Sequence, residues 1–364
     1  MIQFEISAPG KVILHGEHAV VYGKTAVAAS LNLRTKLKFS ELDSNRKFIE
    51  INFPKVCLYL KISLDEFLEY LQPSYPINEN TDQLLEQVQK FVSLQQFTSK
   101  YDGERSQKLS LQAVLYLLAY IAFEEQIQIK PFSIHLITDL TVGSGLGSSA
   151  SFAVCLAGCF LHWVRLLKGD IHDTFDLDDL ERISKYALSC EQIMHGSPSG
   201  IDNSVCTYGG AIEFRRGEPV SVLSNMPNLN ILLVDTKVTR NTKDLVNRVR
   251  ERRKLHPAVI DSIFDSIETV SKTAVQVFGE IYNAQTTNDA ALLDSGYEKL
   301  SSLININQGL LSTLDVSHPA LNNICSIAQN NLLAGKLTGA GGGGYAYILL
   351  PNTENIIDTV FYEN

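Results

Sequence analysis

The sequence predicts an α+β protein of two domains. Strand and helix patterns alternate irregularly along the chain, unlike the regular alternation of doubly wound α/β proteins. The chain has 364 residues, 45% hydrophobic and 20% charged, which is the composition of a globular protein and a length that suits two domains. A polar stretch, Ser224 to Pro227, precedes an apolar strand pattern. We therefore predict an N-terminal domain over residues 1–226 and a C-terminal domain over 227–364.

The first part of the N-terminal domain carries both kinds of pattern. Phe4 to Ala8 and Lys11 to Leu14 are short apolar runs around Pro9-Gly10, which predicts two strands joined by a tight turn. Ser30 to Ser40 alternates apolar and polar residues, as a half-buried strand does. Helical spacing of apolar residues then follows over Asp65 to Leu71, Gln83 to Phe97 and Leu109 to Phe123.

The remaining elements continue this mixture. Phe132 to Ile137 is a predicted strand that leads into the stretch GSGLGSSAS at 143–151. Two helices are predicted over Ser149 to Leu167 and Leu177 to Met194, and HGSPSG at 195–200 ends the second. The C-terminal domain is predicted to contain the strands Leu229 to Asp235 and Tyr345 to Leu350 and the helices Thr242 to Lys254, Ala258 to Phe278 and Ala290 to Leu311.

Composition and charge exclude several classes of protein. The chain carries 31 Lys and Arg against 40 Asp and Glu, a formal net charge of -9, without a basic run, so we expect neither nucleic acid nor membrane as a partner. Six cysteines are too few for a disulfide scaffold and lack CxxC spacing for zinc, so we expect reduced, mostly buried thiols. The start lacks the pattern of a secretory signal, and a cytoplasmic location is expected.

The stretch GSGLGSSAS has the character of an anion-binding loop. It lacks the lysine of a Walker loop, and Gly147 comes one position too early for the dinucleotide fingerprint GxGxxG. What remains is a strand, a turn of three glycines whose backbone can approach a ligand, and a helix start whose amides favour an anion. The alternative is a tight turn with Ser148 as N-cap, and the loop alone does not decide between the two.

Phosphoryl transfer also needs a cation, metal ligands and a group that orients the acceptor hydroxyl. Lys11 follows a Pro-Gly pair, Glu191 lies near a predicted helix end, and Asp202 follows a Pro-Ser-Gly turn. Together with Ser149 these residues supply one cation, two carboxylates and a hydroxyl. The stretch LTGAGGGG at 337–344 leads into an apolar strand, which predicts backbone brought close to a ligand.

Three motifs in order resemble those of the GHMP kinase superfamily: SAPGKVILHGEHAVV at 7–21, GSGLGSSAS at 143–151 and KLTGAGGGG at 336–344. HGSPSGIDN at 195–203 and TKVTRNT at 236–242 resemble the branch of that superfamily that phosphorylates mevalonate. The resemblance runs over nearly the whole chain. It implies the GHMP kinase fold, an N-terminal ribosomal-protein-S5-like α+β domain and a C-terminal ferredoxin-like α+β domain.

The resemblance further implies ATP-dependent phosphorylation of the C5 hydroxyl of mevalonate. Asp202 matches the catalytic aspartate that faces this hydroxyl, and Lys11 matches the lysine beside it, whose charge favours an ionised carboxylate. Ser149 and Glu191 match the Mg²⁺ ligands, and oxygen ligands suit that ion. ATP contacts are implied for Lys11, Thr138, Gly143, Ser144, Gly145, Leu146, Gly147, Ser148 and Ser149. Mevalonate contacts are implied for Glu17, His18, Arg240 and Thr242.

A homodimer is implied by the family. The sequence departs from the family pattern at Lys55, which stands where an asparagine of the adenine pocket is often found, so that contact is not carried over. The family continues after Leu350 with a helix and a further strand, so we expect a C-terminal domain without these last elements. Two alternatives stay open: a GHMP kinase for another small molecule, and a catalytically weak form that acts as a ligand-binding regulator.

Overall fold

The structure is a computed structural model that describes residues 1–71, 81–95, 102–141, 143, 145–195, 200–239 and 241–351. The chain divides into two compact units. The first unit comprises Met1–Gly10, Leu31–Val142 and Gly147–Gly209, and the second comprises Lys11–Ser30, Gly143–Leu146 and Gly210–Asn364. The domain boundary at 226/227 stays a prediction. The expected shortening of the C-terminal domain concerns residues 353–364, which lie outside the described residues.

The first unit contains a mixed sheet in the order β4-β3-β5-β2. Its strands are β2 (Ala26–Glu41, the part from Leu31), β3 (Phe48–Phe53), β4 (Leu58–Ser63) and β5 (Phe132–Thr138). β3 runs parallel to β5, whereas β2 runs antiparallel to β5 with Thr35 opposite Thr138. The alternation read in Ser30 to Ser40 therefore predicted β2 correctly, and Phe132 to Ile137 predicted β5.

Six helices of the first unit lie within its described residues: α1 (Leu64–Tyr70), α2 (Thr81–Ser93), α3 (Asp102–Glu124), α4 (Ser148–Leu167), α5 (Leu177–His195) and α6 (Ile201–Tyr208). Of these, α4 is the core helix, buried almost continuously from Ala150 to Val164. Its length and composition would also fit a membrane span. However, 78% of its most apolar stretch is buried inside the protein, as in the core helix of a globular domain. Trp163 packs against Phe39 of β2 with ring centroids 5.0 Å apart.

The prediction of two short strands joined at Pro9-Gly10 was wrong. Residues Gln3–His15 form one continuous strand, β1, which pairs with β2. A Pro-Gly pair usually marks a turn, but proline is compatible with an extended backbone wherever the ladder does not need its missing N–H. β1 supplies residues to both units, because the division falls between Gly10 and Lys11.

The strands of the second unit pair in two groups. The first part of β2 pairs with β6 (Ala211–Phe214), which pairs with β7 (Ser221–Val222). The other sheet has the order β8-β10-β9 and is antiparallel throughout. Its strands are β8 (Ile231–Asp235), β9 (Ala334–Leu337) and β10 (Tyr345–Leu349).

Four helices of the second unit lie within its described residues: α7 (Thr242–Leu255), α8 (Pro257–Thr287), α9 (Ala290–Thr313) and α10 (Pro319–Asn330). Their apolar faces form a core in which Phe264 and Ile267 of α8 meet Leu311 and Leu337. The periodicity predicted α7 and α9 with small errors at their ends, whereas α8 continues well beyond its predicted end at Phe278, to Thr287. The α+β class is confirmed.

Candidate functional site

The first turn of α4 carries the end of the glycine loop. Gly147 is the N-cap and has a left-handed backbone (φ 75°), so Ser148 is the first helical residue and not the cap. A glycine cap has no side chain to accept hydrogen bonds from the first-turn amides, which are therefore directed toward an external acceptor. The helix start thus has the form of an anion site, and it places Ser149 on the first turn.

A chain of hydroxyl groups fixes this helix start to the strands. The Thr35 and Thr138 hydroxyls lie 3.0 Å apart on the facing positions of β2 and β5. The Ser151 hydroxyl donates to the carbonyl of Ala8 at 2.9 Å and lies 2.9 Å from the Thr35 hydroxyl. Leu140 donates its amide to the Thr138 hydroxyl at 3.2 Å. Thr138, predicted to contact ATP, therefore also has a structural role, and its contact with ATP stays a prediction.

Asp202 lies on α6, and its neighbour anchors that helix. Gly200, with a left-handed backbone (φ 87°), caps the helix, so Asp202 is the second helical residue. The Asn203 side chain donates to the carbonyl and the hydroxyl of Ser184 on α5, at 3.0 and 2.8 Å. The predicted catalytic carboxylate is thereby held on a short helix that is bonded to a long one.

Glu191 lies on the last part of α5 and is buried. Helices α4, α5 and α6 pack against one another in pairs, so the structure carries Ser149, Glu191 and Asp202 on three mutually packed helices of one unit. Among the described residues, no group of three or more His, Cys, Asp and Glu side chains is placed to hold a metal ion. A metal here would take oxygen ligands from Ser149 and Glu191 and complete its coordination with substrate and water, as Mg²⁺ does.

Lys11 and the beginning of the glycine loop belong to the second unit. Lys11 is buried, and its backbone amide donates to the carbonyl of Leu146 at 2.9 Å. Gly143 and Gly145 have left-handed backbones (φ 76° and 82°). A β-carbon on Gly143 would meet no atom within 4 Å, so this glycine is needed for its backbone conformation and not for space. The structure therefore brings Lys11 and the loop together.

The segment after β1 contains a strained turn at His18. Its backbone angles are φ 61° and ψ -45°, and the amide of Ala19 donates to the carbonyl of Glu17 at 2.7 Å. An i to i+2 hydrogen bond around a residue with positive φ is a γ-turn of the rare, strained kind. The Nε2 atom of His18 lies 2.8 Å from the carbonyl oxygen of Ala340. His18 was singled out from the sequence, but nothing in the sequence indicated this backbone.

Glu17 is fully buried and is held by the protein itself. One carboxylate oxygen pairs with Lys336, and the other accepts from the Asn307 amide at 3.2 Å. Lys336 is also fully buried, and burial lowers its pKa, an effect that the charge of Glu17 opposes. These contacts give Glu17 a structural role, and its contact with mevalonate stays a prediction. Sequence reasoning missed Lys336, because a lysine in a strand is normally read as exposed.

Of the other predicted site residues, Thr242 is the first residue of α7 and is exposed. The Asn241 side chain caps α7 by accepting from the amide of Lys243 at 3.0 Å. Arg240 and Ser144 lie outside the described residues. Lys55 is exposed on a short 3-10 turn, Pro54–Val56.

The glycines of LTGAGGGG lie very close to other segments of the second unit. A β-carbon on Gly341 would lie 2.0 Å from the carbonyl oxygen of Val316, and one on Gly343 would lie 2.6 Å from that of Val238. Both glycines have positive φ, as has Gly342, whose β-carbon would meet Leu245. The sequence predicted backbone close to a ligand here. These glycines are required because neighbouring segments of the second unit leave no room for a side chain at their positions.

Comparisons with known proteins agree with these features. The family model described as GHMP kinases N terminal domain matches residues 111–210, and GHMP kinases C terminal matches 290–360. Mevalonate kinase of Mus musculus is 38% identical over 357 residues, which cover 95% of this chain and 85% of that protein. The crystal structure of Methanococcus jannaschii mevalonate kinase matches with a TM-score of 0.67 and 25% identity, over 96% of this chain and 91% of that chain. L. major mevalonate kinase, solved with R-mevalonate, has the same fold, with a TM-score of 0.65 and 21% identity over 98% of this chain and 89% of its own.

Proposed function

Because this chain belongs to the mevalonate kinase family of the GHMP kinases, we propose that it transfers the γ-phosphoryl group of ATP to the C5 hydroxyl of mevalonate. The product is 5-phosphomevalonate, which feeds isoprenoid and sterol synthesis. The observation that carries the proposal is the set of three packed helices that bear Ser149, Glu191 and Asp202. A hydroxyl, a buried carboxylate and a second carboxylate at a helix start supply the metal ligands and the hydroxyl-orienting group that phosphoryl transfer to an alcohol requires.

Asp202 has the role of receiving the proton of the attacking hydroxyl. Phosphoryl transfer passes through a loose transition state, so the carboxylate acts mainly by orienting the hydroxyl oxygen toward the phosphorus and accepts the proton as the bond forms. The anchor between Asn203 and Ser184 supports this role, because orientation needs a side chain that starts from a fixed backbone. Lys11 supplies a fixed positive charge that stabilises the negative charge developing on the reacting oxygens.

Ser149 and Glu191 are the residues that fit Mg²⁺. Both offer oxygen atoms, and α4 packs against α5, so two protein ligands on rigid helices are available for an ion that keeps several water and phosphate ligands. When bound, Mg²⁺ neutralises the charge of the ATP phosphates and of the leaving group. As its protein ligands, Ser149 and Glu191 would determine the position of the ion relative to the ATP phosphates.

The glycine loop and the start of α4 are assigned to the ATP phosphates. The left-handed glycines Gly143, Gly145 and Gly147 expose backbone amides, and the uncapped first turn of α4 adds the positive end of the helix dipole. Thr138 precedes the loop on β5. Mevalonate contacts are assigned to His18, Thr242, Arg240 and Glu17, with His18 the best supported, because a strained residue is usually retained for function.

A substrate panel tests the proposal. The purified chain with ATP and Mg²⁺ is offered mevalonate, phosphomevalonate, homoserine or galactose, and ADP release is followed by a coupled assay. The proposal expects ADP release with mevalonate at a rate far above that with the other three. Preference for another alcohol would favour a different GHMP kinase. Binding of ATP and mevalonate by calorimetry without ADP release would favour a regulator.

Location and assembly complete the proposal. We assign the chain to the cytoplasm, which fits six cysteines that form no disulfide, five of them buried. We also assign it a homodimeric state, by likeness to the family. Light scattering on the eluting protein, with an expected mass of about twice 40.3 kDa, tests the assembly, and a mass near 40.3 kDa would contradict it.

A further inference from the structure

One short segment of the second unit, residues 336–340, contacts Ile13 near the end of β1 and the residues Glu17 and His18 that follow this strand. The Thr338 hydroxyl accepts from the amide of Ile13 at 3.0 Å and donates to the carbonyl of Ile13 at 2.9 Å. Lys336 pairs with Glu17, and the carbonyl of Ala340 meets His18. The two residues of each contact lie more than 300 positions apart along the chain, so these contacts form only in the folded unit.

The pair between Lys336 and Glu17 is unusual in its complete burial. Both side chains are fully inaccessible to solvent. Removing two charges from water costs more free energy than an ion pair normally returns, so a buried pair is weak support for stability alone. Each member of the pair also makes a further hydrogen bond: Lys336 donates to the carbonyl of Leu337 at 2.7 Å, and Glu17 accepts from the Asn307 amide at 3.2 Å. Glu17 is thus held at both of its oxygens, one by Lys336 and the other by Asn307.

The residue after Glu17 is His18, the centre of the strained γ-turn. A conformation of this kind costs free energy and persists only where its surroundings determine it. The carbonyl that closes the turn belongs to Glu17, whose side chain is locked by Lys336, and the ring of His18 is held by Ala340 on the same segment. The turn is therefore fixed at its first residue and at its centre by residues 336–340.

We propose that Lys336 is a positioning residue for His18: its buried pair with Glu17 maintains the γ-turn that presents the His18 ring for substrate binding. The proposal rests on the proposed function only in that mevalonate is the substrate. Lys336 does not itself touch the substrate. Its effect passes through the backbone of Glu17 and His18.

Coupled substitutions test this inference. Lys336→Met removes the cation but leaves Glu17 buried without it, so Lys336→Met with Glu17→Gln is made as well, because neutral replacement of a whole buried pair normally preserves folding. Glu17→Gln alone measures any direct contribution of that carboxylate. We expect the paired change to raise KM for mevalonate by about tenfold, with KM for ATP changed less than about twofold.

The deciding comparison uses His18→Ala as the background. If Lys336 acts through His18, adding the paired change to His18→Ala should leave KM for mevalonate almost unchanged. The effects of the two changes on KM would then be strongly non-additive, as is found for residues in contact. The same fold-increase in both backgrounds would overturn the proposal. Lys299→Met is the matched control, because it breaks an exposed lysine–glutamate pair with Glu280 in the same unit and should change neither KM.

A second readout does not depend on activity. In protein with isotope-labelled histidine, the ring resonances of His18 are identified by their absence in His18→Ala. We expect them to shift in the paired variant and not in Lys299→Met. Unchanged His18 resonances would also overturn the proposal. If the wild-type chain fails to phosphorylate mevalonate, the proposed function fails, while this comparison still decides whether Lys336 positions His18.

Discussion

Ser149 and Asp202 occupy the same position, the second residue, of two helices that pack against each other. Each helix begins after a glycine with a left-handed backbone, Gly147 or Gly200, so neither helix has a side-chain cap. Side chains at this position lie in the first turn, where the helix dipole favours negative charge and anionic ligands. The same local structure, a left-handed glycine followed by a helix, thus occurs twice and places a hydroxyl in one case and a carboxylate in the other.

Loss of the Ser149 hydroxyl should weaken the affinity for Mg²⁺. We expect Ser149→Ala to raise the Mg²⁺ concentration for half-maximal ADP release by roughly tenfold or more, because even residues that only support metal ligands change metal affinity by this much. Titration of activity with Mg²⁺ at fixed ATP checks the expectation. Ser189→Ala on α5, whose hydroxyl bonds to the carbonyl of Lys185 within the helix, is the control. An unchanged Mg²⁺ requirement in Ser149→Ala would remove Ser149 from the metal site.

Gly341 should be the least replaceable glycine of its loop. It shares φ 76° with Gly23 in the same unit, but only at Gly341 would a β-carbon lie 2.0 Å from a backbone oxygen, while at Gly23 it would meet nothing within 4 Å. Gly23→Ala should therefore lose only the cost of a left-handed residue, about 1–2 kcal/mol. Gly341→Ala should lose about 3 kcal/mol or more. Urea denaturation of both variants measures the difference, and equal losses would show that backbone conformation alone matters.

The stability of the second unit should depend on pH through His15. Its ring is fully buried, neither nitrogen has a hydrogen-bond partner among the described residues, and it lines a cavity of about 10 Å³, about enough for one water molecule. Burial, followed by the charge of Lys336, lowers the pKa of His15 well below its usual 6.5. His15 is therefore protonated near pH 6.5 in the unfolded chain but remains neutral there in the folded chain. The stability of the folded chain consequently falls as pH decreases below that value.

This effect is measurable as a slope. Each pH unit below the unfolded pKa costs up to about 1.4 kcal/mol for one such group. His15→Leu should show a smaller fall in thermal midpoint between about pH 7.5 and 5.5 than the wild type. His256→Gln, an exposed histidine at the end of α7, should keep the wild-type slope. The same slope in His15→Leu as in the wild type would show that His15 is protonated alike in the folded and unfolded chain.

The Ser151 hydroxyl should stabilise the first unit. Ser151→Ala leaves the buried carbonyl of Ala8 and the Thr35 hydroxyl each without one partner, so we expect a loss of about 1–3 kcal/mol. Ser262→Ala on α8, an exposed serine that bonds to the carbonyl of Ala258 within its own helix, should change stability by less than about 0.5 kcal/mol. Denaturant midpoints of the two variants give the comparison. A Ser151→Ala variant as stable as Ser262→Ala would mean that the hydroxyl chain contributes nothing.

Periodicity was enough to predict the long helices and the strands β2, β5, β8 and β10, but not the continuous strand β1. α4, α5 and α8 carry clear apolar spacing, and β2 alternates cleanly, so burial decides these elements and the sequence displays it. The short elements α6 and β9 were not predicted. Each has too few residues to show a period, and each is fixed by contacts from distant parts of the chain, such as those between Asn203 and Ser184.

The motifs predicted local backbone structure better than the roles of individual residues. Glycine patterns located the loop before α4 correctly, because left-handed glycines are needed there. They did not reveal that Gly341 serves packing against Val316, or that Glu17 is locked by Lys336. Those roles depend on contacts with residues far away in the sequence, 319 positions in the case of Glu17 and Lys336. One sequence contains both partners but does not show that they meet.

The central claim, a kinase in which Asp202 orients the hydroxyl of mevalonate, is tested most directly by the initial rate of ADP formation in Asp202→Asn. Asp178→Asn is the control, because Asp178 is likewise the second residue of its helix, α5, and is exposed. With ATP, Mg²⁺ and mevalonate saturating, we expect Asp202→Asn to lose ~10²-fold or more in rate while it still binds ATP, and Asp178→Asn to remain near the wild type. Turnover by Asp202→Asn close to that of the wild type would contradict the account.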